Sequence, residues 1–198
     1  MRNVTSRLLA LSLIVAPTSA FAHPGHGETA GFVHGFMHPV GGLDHILAMV
    51  AVGILAYQLG GRALWLLPTV FVGVMGLGWV MGAADVHLPY VETGIAASVI
   101  VLGAAIALGI QAPVAIAAVI AGIFAVFHGF AHGIDMPLGG SPVNYAAGFL
   151  AATAMLHAIG IGIGVALGQL GQNYGKALYR VAGCVVAIAG TAILTQII

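Results

Sequence analysis

Two short stretches gather five of the nine histidines and two of the three aspartates in this sequence, side chains that can bind a metal ion. The first is His34-Gly35-Phe36-Met37-His38-Pro39-Val40-Gly41-Gly42-Leu43-Asp44-His45 and the second is Phe127-His128-Gly129-Phe130-Ala131-His132-Gly133-Ile134-Asp135. Neutral imidazoles with one or two carboxylates suit borderline divalent ions such as nickel, cobalt, zinc or iron. Copper(I) favours clustered Cys and Met, and magnesium or calcium favour oxygen. Met37, Met136 and Met155 lie near the histidines but are too few and scattered to make a copper site. Cys184 is the single cysteine, which excludes an intrachain disulfide and a Cys-based zinc centre.

At about 100° per residue, a helix carrying the first stretch places His38 about 40° and His45 about 20° from His34, with Asp44 about 80° to the side. Three imidazoles then share one face. Pro39, Gly41 and Gly42 are expected to kink or break this helix, and a full break would start the span proper near Leu43. In the second stretch His128 and His132 stand one turn apart, and Asp135 returns to within about 20° of His128 if the helix persists that far. His157 falls about twelve residues into a later apolar run, near the middle of a bilayer, where it could serve as a deeper relay. The two His-Gly-Phe copies suggest an inverted repeat, but one opens its helix and the other closes its helix, so their positions are not equivalent.

The elements that must hold these residues follow from composition. Of 198 residues, 61% are apolar and 5% charged, against about 25% charged in an ordinary soluble domain. A mean hydropathy of +1.11 excludes disorder, and five basic against five acidic residues leave no basic stripe for nucleic acid. Apolar runs near residues 32–59, 63–84, 93–111, 113–132, 145–170 and 177–198 each approach the length that spans hydrocarbon. An all-α bundle of six transmembrane helices is predicted, joined by short connections at 60–62, 85–92, 111–113, 133–144 and 172–176. A polytopic chain has the lipid bilayer as its constant partner, and assembly into a homo-oligomer is compatible with this reading.

Arg2 and Arg7, the apolar stretch from Leu8 to Ala16 and the small-x-small Ala20-Phe21-Ala22 read as a signal peptide over residues 1–22. The six-helix transmembrane domain is then 23–198, and the mature chain opens outside the cytoplasm with His23-Pro24-Gly25-His26. His23 and His26 could capture metal peripherally, although Pro24 removes a backbone nitrogen that square-planar sites use. From an outside start, Arg62, Lys176 and Arg180 fall on the cytoplasmic side and Asp85, Glu92 and Asp135 on the periplasmic side, as the distribution of Lys and Arg in membrane proteins requires. Trp65 and Trp79, at opposite ends of the second run, read as interfacial anchors. Small-residue spacings such as Gly160, Gly164 and Gly168 read as helix packing.

His38-Pro39-x-x-Gly42-x-Asp44-His45 and Phe127-His128-Gly129-x-Ala131-His132-Gly133-x-Asp135 resemble the two signatures of the HupE/UreJ family of nickel permeases. The resemblance covers essentially the whole mature chain. It departs at Asp135, where the family usually has Glu. It implies an inner-membrane carrier that admits Ni²⁺, or Co²⁺, from the periplasm for hydrogenase or urease maturation. The metal is then cargo, with no tightly bound cofactor, and its path runs through His38, Asp44, His45 and the second signature.

Bland readings stand beside these. His38, Asp44 and His45 could form a network that caps the kink, His34 and His87 could simply be solvated, and His157 could be a hydrogen-bonded packing residue. A haem-binding membrane cytochrome with two axial histidines is the alternative function, though the clustered aspartates argue against it. An intramembrane metallohydrolase lacks its HExxH signature and an obvious general base, so the chain does not read as an enzyme.

Overall fold

The computed structural model describes residues 28–137 and 141–197. The signal-peptide reading of residues 1–22, and the metal-capture reading of His23 and His26, lie outside the described residues. The described residues form helices α1 (Glu28–Gly41), α2 (Leu43–Leu59), α3 (Ala63–Ala83), α4 (Val91–Leu108), α5 (Val114–Ile134), α6 (Pro142–Gln169) and α7 (Gly171–Leu194), with no strand among them. The chain is a multi-pass, all-helical membrane protein. Five helices are long and apolar enough to cross a bilayer, six if α1 and α2 count as one broken span.

That first run is where the continuous-helix reading fails. α1 ends at Gly41, Gly42 has extended backbone, and the axis turns by 82° into α2. Pro39 lacks an N–H and the two glycines add no helix propensity, so the break falls where these residues cluster. The placement of His34, His38 and His45 on one helical face is therefore overturned. His34 and His38 belong to α1 and His45 to the first turn of α2. A second difference lies at 172–176, expected as a connection, where α6 ends at Gln169 and α7 begins at Gly171.

With 28 residues, α6 is about 42 Å long, more than the roughly 30 Å of hydrocarbon. Both broken halves pack along it. α1 crosses its first turns, where Gly148 faces Phe32, and α2 crosses further along, where Gly53 and Gly160 meet. α3 lies against α5 through Gly78, Gly82, Gly129 and Gly133, and α4 against α7 through Gly103 and Gly183. Lipid tails are as apolar as leucine, so close backbone approach, rather than exclusion of apolar surface from water, must hold these helices together. The small-residue reading of the sequence thus becomes specific crossings. Tyr179 on α7 adds a hydrogen bond to the Gly164 carbonyl of α6. Phe71, Met75, Met49, Leu67 and Phe149 fill the centre.

Trp65 is 59% exposed, as an anchor requires. Trp79 instead turns inward: its ring centre is 6.3 Å from that of Phe149, and its buried Nε1 has no hydrogen-bond partner among the described residues.

Candidate metal pathway

Three helix ends converge on one cavity. The α1–α2 break, the start of α4 and the end of α5 surround an open space of about 510 Å³ lined by His38, Asp44, His45, His128, His132 and Asp135, among others. Six of the residues named from sequence are therefore brought together. The break shapes one wall of this cavity: residues on both sides of the 82° turn, from His38 to His45, contribute to its lining.

From this mouth the imidazoles run inward in file. The side chain of Asp135 is 57% exposed and that of His38 34%, with 3.7 Å between a carboxylate oxygen and Nε2. The His38 ring lies edge-on to His132, 5.1 Å between centres; His132 meets His45 at 4.7 Å and His45 meets His128 at 5.2 Å, all near-perpendicular. Exposure falls from 7% at His132 through 3% at His45 to 1% at His128, so this order is an order of depth. The Phe71 ring centre lies 5.9 Å from that of His128 and 5.3 Å from that of His157. Both ring nitrogens of His157 are buried with no hydrogen-bond partner among the described residues.

The closest contact in the file joins two spans. His132 Nε2 on α5 is 3.1 Å from His45 Nδ1 on α2. A metal–nitrogen bond of about 2.1 Å separates two ligand nitrogens by about 3.0 Å at a right angle and by about 3.4 Å at a tetrahedral one. The observed spacing matches that of two nitrogens sharing one ion, but the two are turned towards each other in a hydrogen bond, so shared ligation needs both rings to reorient. Among the described residues, no three His, Cys, Asp or Glu side chains are gathered closely enough to hold a metal ion together. The pairs His38–His132, His45–His132 and His45–His128 touch edge to face, which leaves no slot for a porphyrin between them and counts against the haem alternative.

Asp44 sits at the break. One carboxylate oxygen accepts the backbone N–H of His45 at 2.8 Å, steadying the first turn of α2, while the residue also lines the cavity. Asp135 caps α5 rather than continuing it, so it faces His38 and not, as the helical wheel suggested, the side of His128. His34 is exposed on α1, 6.4 Å from the His38 ring centre. His87 is exposed in its loop, consistent with simple solvation.

Sequence reasoning missed several neighbours. Glu92, counted only as an outer-loop charge, lines the cavity from the first turn of α4. Ser98 Oγ lies 2.9 Å from His128 Nε2, and Thr153 Oγ1 lies 3.2 Å from His45 Nε2. Both hydroxyls are fully buried. The available signal was a hydroxyl residue deep within an apolar run. At the far end of the bundle, Tyr57, Gln58, Gln111, Lys176 and Arg180 line a second cavity of about 530 Å³.

A sequence profile of the family described as HupE / UreJ protein matches residues 11–193. Protein HupE of Rhizobium leguminosarum bv. viciae is 47% identical over 196 residues, covering 97% of each chain. No solved structure matches the chain.

Proposed function

This chain belongs to the HupE/UreJ family of hydrogenase and urease accessory transporters, and we propose that it is an inner-membrane permease importing Ni²⁺, with Co²⁺ as a close competitor, from the periplasm. The ion enters at Asp135 and His38, passes to His132 and His45, then to His128, and reaches His157 beyond Phe71. The single observation that carries this reading is the descending file of imidazoles from an open, acid-rimmed mouth into the buried middle of the bundle. Ionisable residues inside a membrane are costly and persist where they coordinate or line a path. Successive two-nitrogen sites suit transport, since a closed cage would hold the ion too tightly to release it. The membrane potential alone supplies about 4.6 kcal/mol per divalent ion at 100 mV, negative inside. Asp44 orients the start of α2 and adds negative charge at the cavity wall. His34, His23 and His26 would act only in peripheral capture.

The test is direct. Proteoliposomes containing the purified protein, loaded with a nickel-sensitive dye and given an inward Ni²⁺ gradient, fill faster than protein-free vesicles, and Co²⁺ slows the filling. Equal rates in both vesicle types would remove the reading.

The mouth gives a second expected result. Asp135→Asn keeps the shape of the side chain and removes the charge that concentrates cations beside His38. Clefts lined by one charge sign raise encounter rates by roughly tenfold or more, so the nickel concentration for half-maximal uptake rises about tenfold while the maximal rate changes less. Initial uptake rates across a nickel series separate the two. A loss confined to the maximal rate would place Asp135 in a later step than capture.

A further inference from the structure

We propose that Ser98 and Thr153 are positioning residues that fix the tautomers of His128 and His45, holding the proton on Nε2 in each and presenting the Nδ1 lone pair to the passing ion. The ion's involvement rests on the permease reading above; the tautomers themselves do not.

The argument is a count of hydrogens. A serine or threonine hydroxyl has one hydrogen to give and two lone pairs with which to accept. Ser98 gives its hydrogen to the Ile95 carbonyl, one turn back on α4, at 2.6 Å. Its contact with His128 Nε2 at 2.9 Å can then be a hydrogen bond only if Nε2–H is the donor. Thr153 likewise donates to the Phe149 carbonyl at 2.8 Å, the helical i−4 position, with the Met75 sulfur a weaker acceptor at 3.6 Å. His45 Nε2 at 3.2 Å must therefore donate to Thr153 Oγ1. The two hydroxyls come from different helices, α4 and α6, yet make the same arrangement: back-bonded to their own helix and accepting from an imidazole of another.

The consequence falls on Nδ1. A neutral imidazole with its proton on Nε2 carries its lone pair on Nδ1. For His45 that nitrogen is the one 3.1 Å from His132 Nε2, so without an ion His132 donates its Nε2–H to it; for the two nitrogens to share an ion, that proton must first move to His132 Nδ1. Nδ1 of His132 is buried without a partner among the described residues, so no contact there binds His132 to one tautomer. Two histidines of the file are thus locked by hydroxyls, while His132 is held only through its Nε2–H to His45 Nδ1, a contact that an ion would replace. Metal-ligating histidines are commonly held through the ring nitrogen that does not touch the metal, and loss of that second contact costs about 10- to 100-fold in affinity or activity.

The tautomers are readable without transport. In the full-length protein with ¹⁵N-labelled histidine rings, reconstituted in lipid without metal, the resonances of His45 and His128, assigned by His45→Gln and His128→Gln, are expected to show protonated Nε2 and bare Nδ1. Thr153→Val keeps the side-chain shape and removes the acceptor, which redistributes the His45 proton between the two nitrogens; Ser98→Ala does the same for His128. In ⁶³Ni²⁺ uptake both variants fall at least about tenfold, while Thr153→Ser and Ser98→Thr recover most of the loss. Protonated Nδ1 at His45 and His128 in the unsubstituted protein would overturn the inference, as would full uptake by Thr153→Val and Ser98→Ala. Either result leaves the proteoliposome test of the permease intact. A protein that shows the expected tautomers but carries no nickel would instead defeat the permease reading alone.

Discussion

His45→Ala is expected to abolish the proposed nickel uptake. His45 is the one imidazole in contact with both His132 and His128, and its Nδ1 completes the closest nitrogen pair in the cavity. Alanine removes a donor from the middle of the file and leaves Thr153 Oγ1 without its imidazole partner. Loss of a partner one layer out from a metal costs about 10- to 100-fold, so loss of the donor itself is expected to cost at least a hundredfold. The measurement is uptake of ⁶³Ni²⁺ at nanomolar concentration by cells expressing wild type or variant, with the amount of inserted protein determined in the same membranes. Asp44→Ala is expected to follow, through loss of the cavity charge and of the contact that steadies α2. Uptake by His45→Ala within threefold of wild type, at equal protein, would place the path elsewhere.

The second large effect concerns folding. A methyl group on Gly129 would stand 2.0 Å from the Met75 carbonyl oxygen, with further α3 backbone atoms within 3 Å. Nothing flexible can yield there, so α3 and α5 must separate. Overpacking costs about 1–3 kcal/mol where side chains can shift and more where they cannot, and the upper end or beyond is expected of Gly129→Ala. Gly73 on α3 is the control: nothing lies within 4 Å of its added methyl, so Gly73→Ala should be neutral or slightly stabilising through helix propensity. Thermal unfolding in detergent compares the two, with Gly129→Ala losing most of its folded fraction where Gly73→Ala loses none. Similar melting curves for both would mean that α3 and α5 do not cross at this glycine.

Much of this site was legible as residue types. The two signatures, the apolar runs and the break at Pro39, Gly41 and Gly42 all follow from local chemistry. The convergence was not, because a helical wheel can relate only residues on one continuous helix. His45 reaches His132 through the packing of α2 and α5 against their neighbours, and no periodicity encodes that contact. Ser98 and Thr153 were harder still. A hydroxyl bonded back to a carbonyl of its own helix is the ordinary state of serine or threonine in an apolar span. Only the position of an imidazole on a second helix separates these two from the rest. Trp79 misled for a related reason: its place near a helix end fits an anchor, and the side of the helix it occupies does not.

Phe71 marks the stretch of the proposed route that offers an ion least. Its phenyl ring is fully enclosed, its centre 5.9 Å from that of His128 and 5.3 Å from that of His157, and it has no lone pair to give a cation. On that route an ion leaving His128 for His157 meets an apolar face instead of another donor, so substitution of this one ring would alter passage without removing a ligand.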